Sequence, residues 1–133
     1  MPKILTIAAL QLLDAAGRIL LVRKRGTSVF MQPGGKLEPG EAPLSAVLRE
    51  VQEETGLIFA SDEVISMGLW KGAAANEADT DIHAHLFAAR TEAAPNIQAE
   101  IEAMMWLDPA EAMEREDIAP LLRFKVLPGL LGL

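Results

Sequence analysis

Three glutamates spaced i, i+3 and i+4, Glu50, Glu53 and Glu54, share one short segment with an apolar series, Leu44, Val47, Leu48 and Val51, that recurs at helical spacing. At roughly 100° per residue the apolar four fall within an arc of about 100°, and the glutamates fall within a similar arc centred about 120° away. The spacing predicts a helix from Pro43 to Thr55, with Pro43 suited to the first turn and Gly56 placed for a left-handed C-terminal cap. One face is core and its neighbour is a carboxylate cluster. Such like charges destabilise an isolated helix by a few tenths of a kcal/mol per pair, roughly, so something should neutralise them. Hard divalent cations want oxygen ligands, and carboxylates on one rigid element supply these at little ordering cost. Taken by itself, the cluster also reads as a solvated acidic face.

Cysteine is absent from the 133 residues, which excludes disulfides, thiolate nucleophiles and cysteine-ligated metal centres. Any metal must therefore be held by oxygen or histidine. Lys+Arg 12 against Asp+Glu 19 gives a formal net charge of -7, which argues against a general binder of nucleic acid, since that needs a dominant basic surface. The sign is uneven along the chain. Residues 1–36 carry Lys3, Arg18, Arg23, Lys24, Arg25 and Lys36 against Asp14, whereas residues 92–117 carry eight acids against Arg115. This suits a site where cations or metals meet an anionic substrate, and equally suits two solvated regions of opposite sign.

The length fits one domain, residues 1–133. Met1-Pro2-Lys3 and the apolar Ile4 to Leu10 resemble the start of a signal peptide, but Gln11 and Asp14 interrupt the run, and it reads as a buried strand. No apolar stretch approaches the roughly 18 residues of a membrane span, and a cytoplasmic location is expected. Strands are predicted at Lys3 to Leu13, Arg18 to Arg23, Val64 to Trp70, Ile82 to Ala89 and Ala103 to Leu107, with Asp14-Ala15-Ala16-Gly17 as a turn. A short extended piece enters Gln32-Pro33-Gly34-Gly35 after a loop at Gly26-Thr27-Ser28. Helical turns are predicted at Pro109 to Met113 and Ala119 to Leu127, and loops at Gly72 to Thr80 and Thr91 to Ala99. The class is α/β. The methionines and Trp70 are expected in the core. The apolar end, Val126 to Leu133, could dock on its own core or on a partner.

From Gly35 to Leu57 the chain reads G-x5-E-x7-R-E-V-Q-E-E-T-G-L, with Gly35, Glu41, Arg49, Glu50, Val51, Glu53, Glu54, Gly56 and Leu57 at the fixed places. Average residue usage makes a chance match roughly rarer than one in a million. The stretch resembles an intact Nudix box. The resemblance implies the Nudix fold, an α/β/α sandwich around a mixed β-sheet with a catalytic loop-helix-loop. It also implies hydrolysis of a nucleoside diphosphate linked to another group, with Mg²⁺ or Mn²⁺. By the same resemblance Glu50, Glu53, Glu54 and Gly35 hold metal, Arg49 and Glu41 pair to orient the box, and Gly35 and Gly56 permit the turns at its ends. The general base would be Glu50 or Glu53, or a later glutamate, Glu100 or Glu102, which precede a strand bearing Trp106 as the family's extra metal-site segment does.

Arg23, Lys24 and Arg25 end the second strand, where a Nudix-like fold brings them towards phosphate; Arg23 is the first choice, and Lys36 in the box loop is another. Phe30-Met31-Gln32-Pro33-Gly34-Gly35-Lys36 is similar to MutT-type nucleoside triphosphate pyrophosphohydrolases, with Phe30, Gln32 and Trp106 as candidate base contacts. The proline typical of ADP-ribose hydrolases and the tyrosine typical of diadenosine polyphosphate hydrolases are both missing: no proline lies between Pro43 and Pro95, and tyrosine is absent. The leading expectation is therefore a Mg²⁺-dependent hydrolase that takes a nucleoside triphosphate, an oxidised or otherwise noncanonical one included, to the monophosphate and pyrophosphate. ADP-ribose or another nucleoside diphosphate derivative is the alternative substrate, a nucleotide sensor without turnover a second reading, and a homodimer the family habit. His83 and His85 share one side of a predicted strand but lack further ligands at a telling spacing.

Overall fold

Ala8 to Leu13 are buried without a break, as a strand covered on both faces must be, and the architecture is arranged around it. The computed structural model describes residues 3–75 and 77–133. Met1 and Pro2, which open the stretch weighed as a signal peptide, and Asn76, in the loop expected up to Thr80, lie outside them. Strand β1 (Lys3–Leu13) runs parallel to β5 (Thr80–Arg90) from Lys3↔Thr80 to Leu13↔Arg90. On its other edge it pairs antiparallel with β2 (Ile19–Lys24) at Leu13↔Ile19 and with β3 (Gly34–Lys36) at Ile7↔Lys36, Ala8↔Gly35 and Ala9↔Gly34. Strand β4 (Ile65–Ala73) adds to β5, and β6 (Ile101–Leu107) to β2, both antiparallel. The order is β4-β5-β1-β2-β6 with β3 beside β1. This mixed sheet, flanked by helices on both faces, bears out the expected class.

Alternation along the strands divides the core in two. Ala8, Leu10, Leu12, Leu20 and Val22 face helix α1 (Pro43–Thr55), where Val47 and Val51 are buried against them. Ala9, Leu13, Ile19 and Leu21 face the other way, towards α2 (Pro109–Met113) and the C-terminal helical segment. That segment extends beyond the expected Ala119–Leu127: a wide turn at Leu122–Val126 runs into α3 (Leu127–Leu131). Pro128 has no N–H to continue an ordinary helix, and the chain accommodates it with the wide turn, in which Leu127 N–H donates to the Leu122 carbonyl five residues back. Val126 and Leu127 are buried in the chain's own core, while Leu133 is exposed.

The turn after β1 is closed by Asp14, whose carboxylate accepts from the Ala16 and Arg18 amides at 3.0 and 2.8 Å and from Arg18 Nε at 2.7 Å. Helix α1 begins and ends where its local chemistry says, at Pro43 and at Gly56 with φ 77°. Strand β4 is longer than expected, taking Gly72 and Ala73 out of the predicted loop because they pair with Ile82 and Asp81 of β5. Trp70, Met31, Met104, Met105 and Met113 pack on the two cores, but Met67, on the edge strand, is exposed. His83 and His85 do share a side of β5, both half-buried. Among the described residues no three acidic or histidine side chains are gathered as a ready coordination sphere.

Candidate active site

The three box glutamates leave one helix face into three different environments. Glu54 is only 4% exposed and accepts a hydrogen bond from the Gly34 amide at 2.9 Å. Burial pushes its pKa up to about 8, against the opposing pull of the Gly34 N–H and the Lys24 charge, and with the repulsion of Glu50 and Glu53 added. Glu50 is held by Arg49, whose Nη1 donates to its Oε1 at 2.6 Å. Glu53 is the most open, 3.6 Å from the same guanidinium. Glu53 and Glu54 occupy the last turn of α1, where the helix dipole is negative, and no basic residue lies in that turn.

Arg49 is the tie of the loop before the helix. Its Nε and Nη2 donate to the two oxygens of Glu41 at 2.9 and 2.8 Å, and Nη2 also reaches the Lys36 carbonyl at 3.1 Å. Glu41 in turn accepts from the Glu38 amide at 3.0 Å. The guanidinium and then that amide hold the Glu41 carboxyl well below its usual range, at about 2.

Two glycines border both the carboxylates and a cavity. A Cβ on Gly35 would lie 2.6 Å from Glu50 Cδ, and one on Gly34, with φ 152°, would lie 2.1 Å from the Ala8 carbonyl. Glu50 packs against Gly35 where a side chain would stand, Glu54 accepts from the Gly34 amide, and both glycines also line a cavity of about 210 Å³. Its walls are chiefly apolar, including Leu5, Ile7, Met31 and Ile82, with Lys24, Thr27, Gln32 and Glu77 as polar residues.

The other candidates separate. Gln32 is buried in the cavity wall. Lys36 stands at the box, 3.9 Å from Glu77. Arg23 is spent elsewhere: it donates to the Thr27 carbonyl at 2.8 Å, pairs with Glu102 at 2.7 Å and covers the Phe30 ring. It is Lys24 that lines the cavity, since a register shift between Arg23 and Lys24 turns the strand there. Phe30 is a core residue, with Arg115 over its ring at 5.2 Å. Trp106 is not in the cavity wall; it packs on the α1 side of the sheet. Glu102 lies within β6 rather than before it, and exposed Glu100 gives its carbonyl to the Arg25 amide at 2.7 Å. Glu77 was missed by the sequence reading, although it is the first acid after the alanine run Ala73-Ala74-Ala75.

An all-oxygen donor set, crowded with negative charge and opened by a glycine against which one carboxylate rests, fits a hard divalent cation. Fold and site together define a Nudix hydrolase. The chain belongs to the NUDIX domain family, matched over residues 2–128; Nudix hydrolases generally use divalent metal ions. It is 32% identical over 117 residues to a MutT-like protein of Streptomyces ambofaciens, covering 87% of this chain and 70% of that one. It is 35% identical over 66 residues to the 8-oxo-dGTP diphosphatase of Haemophilus influenzae, covering 47% of this chain and 48% of that one. Among solved structures, the MutT protein of Methanosarcina mazei Go1 superposes with a TM-score of 0.81 at 19% identity, over 98% of this chain and 95% of that one.

Proposed function

We propose that the chain hydrolyses nucleoside triphosphates, with canonical or oxidised bases, to the monophosphate and pyrophosphate, with Mg²⁺ as cofactor and Mn²⁺ able to replace it. One observation carries the reading: a cavity of base size ends on Gly34 and Gly35, and Glu50 and Glu54 meet the same two glycines. An ion held by Glu50, Glu53, Glu54 and the Gly35 carbonyl would offset phosphate charge and acidify a water. Glu53, the freest of the three, takes the proton of the attacking water. Arg49 holds Glu50 in place through bonds on three sides of its guanidinium. Lys24, the basic residue in the cavity wall, would meet the phosphates. The similarity to an 8-oxo-dGTP diphosphatase supports this substrate class. A small nucleotide rather than a polymer as partner, a homodimer and a cytoplasmic location belong to the same proposal.

The test is product analysis over canonical and oxidised nucleoside triphosphates, ADP-ribose and dinucleoside polyphosphates, with Mg²⁺, Mn²⁺ or chelator. Metal-dependent pyrophosphate release from a triphosphate is expected. Cleavage of ADP-ribose alone would overturn the substrate, and nucleotide binding without product would point to a sensor.

A further inference from the structure

Gln32 stands out among the cavity residues. It is 4% exposed, and its Nε2 is buried without a hydrogen-bond partner among the described residues. Native chains rarely leave a buried amide unpaired unless something else completes the bond. Alternation places Gln32 on the same face as Phe30 and Gly34, the face that the cavity-side core occupies. The volume, about 210 Å³, is below the roughly 300–1,000 Å³ of pockets that enclose whole drug-sized ligands, so it suits one planar base with the sugar and phosphates left outside. The apolar walls suit the faces of such a ring, and its polar edge needs a partner.

Resting on the pyrophosphohydrolase reading, we propose that Gln32 is the specificity-determining residue of this cavity, its side-chain amide donating to a ring carbonyl, so that oxo bases are taken ahead of amino bases. One neighbouring polar side chain points the same way: Lys24, also in the cavity wall, has only donors. Glu77, the acid in the wall, faces Lys36. The unpaired group is the Nε2 donor, so the ligand that completes its hydrogen bonding must offer an acceptor.

The experiment compares inosine and adenosine triphosphates, which carry the same sugar and phosphates and differ at the carbonyl or amino edge. The ratio of their kcat/KM values cancels metal and phosphate chemistry. The wild-type protein is expected to favour inosine by at least about tenfold, and Gln32→Met to bring the ratio within about threefold, as loss of a buried hydrogen-bond partner does. The melting temperature of the ligand-free variant should hold or rise, because an unpaired buried amide has been removed; a structural glutamine would give a fall. Indifference of the wild type, preference for adenosine, or an unchanged ratio in Gln32→Met overturns the assignment, and the wild-type comparison decides even if the variant does not fold. Should neither triphosphate be hydrolysed, the reaction reading fails by itself. Calorimetric binding of inosine against adenosine then judges Gln32: an inosine preference lost in Gln32→Met upholds it, and equal or absent binding overturns it.

Discussion

Replacing Gly35 by alanine should separate the chemistry from the fold. Gly35 is not among the residues with positive φ, so alanine fits its backbone. The new methyl, however, would lie 2.6 Å from Glu50 Cδ and 2.7 and 2.8 Å from its two oxygens, where ordinary contact begins at 3.4 Å. The carboxylate must retreat by roughly 0.8 Å, and its 2.6 Å bond to Arg49 is drawn with it. A misplacement of about 1 Å in a catalytic constellation costs on the order of 10²-fold in rate, or about 2.7 kcal/mol of barrier. The assay is kcat/KM at saturating Mg²⁺ with far-ultraviolet circular dichroism melts alongside. We expect a near wild-type melt and a rate down by about two orders of magnitude. A folded Gly35→Ala protein within threefold of the wild-type rate would refute the placement of Glu50 in the chemistry. Gly34→Ala is the control: with φ 152° and the Ala8 carbonyl 2.1 Å from the added carbon, it should break the β1–β3 pairing and lower the melting temperature.

Glu53→Gln should fold normally and lose several orders of magnitude of hydrolysis, whereas Glu102→Gln, which frees only the exposed end of the Arg23 pair, should stay within tenfold; the reverse order in a side-by-side assay would move the base to β6. Glu41 titrates at about 2 in the folded chain against 4.5 unperturbed, so its carboxylate stabilises the fold above pH 4.5 and loses that effect as pH falls towards 2. Urea midpoints of wild type and Glu41→Gln should therefore differ at neutral pH and converge in acid; a constant gap would mean that the Arg49 pair is not what Glu41 contributes.

Helix α1 was legible at both ends because its boundary signals are local: Pro43 in the first turn and the left-handed Gly56. The strands were legible where apolar runs are continuous, as in β1, and less so where pairing partners decide. Nothing within Gly72-Ala73 marks a strand; their partners are Ile82 and Asp81. The site divides in the same way. Three acids on one face follow from helical periodicity, but the burial of Glu54 depends on the Gly34 amide, 20 residues away in sequence. Arg23 was chosen over Lys24 because both end the same strand, and only the register shift between them decides which one reaches the cavity. Strand parity alone misleads here: it puts Lys24 with Leu20 and Val22, which face α1, and Arg23 with Ile19 and Leu21 on the cavity-side core.

The end of α1 is arranged against its own stability. Glu53 and Glu54 lie in the last turn, where the dipole disfavours an acid by about 0.3–1 kcal/mol, and Glu54 is also stripped of water. Against this stand the Gly34 N–H, the Lys24 charge and one guanidinium, already shared among Glu41, Glu50 and Glu53. A divalent cation reverses the sign of each of these unfavourable contributions, so binding should stabilise the folded chain, by about 2.7 kcal/mol at a metal concentration 100 times its Kd. Because the raised pKa of Glu54 lets the metal-free protein carry a proton there below about pH 8, a metal must displace that proton, and the stabilisation should strengthen as pH rises through 7 to 8. Melting curves with and without Mg²⁺ at pH 6, 7 and 8 test this. The expected result is a metal-induced rise that grows with pH and is cut in Glu54→Gln. A rise of equal size at every pH, or one that survives Glu54→Gln intact, would show that the ion binds without Glu54.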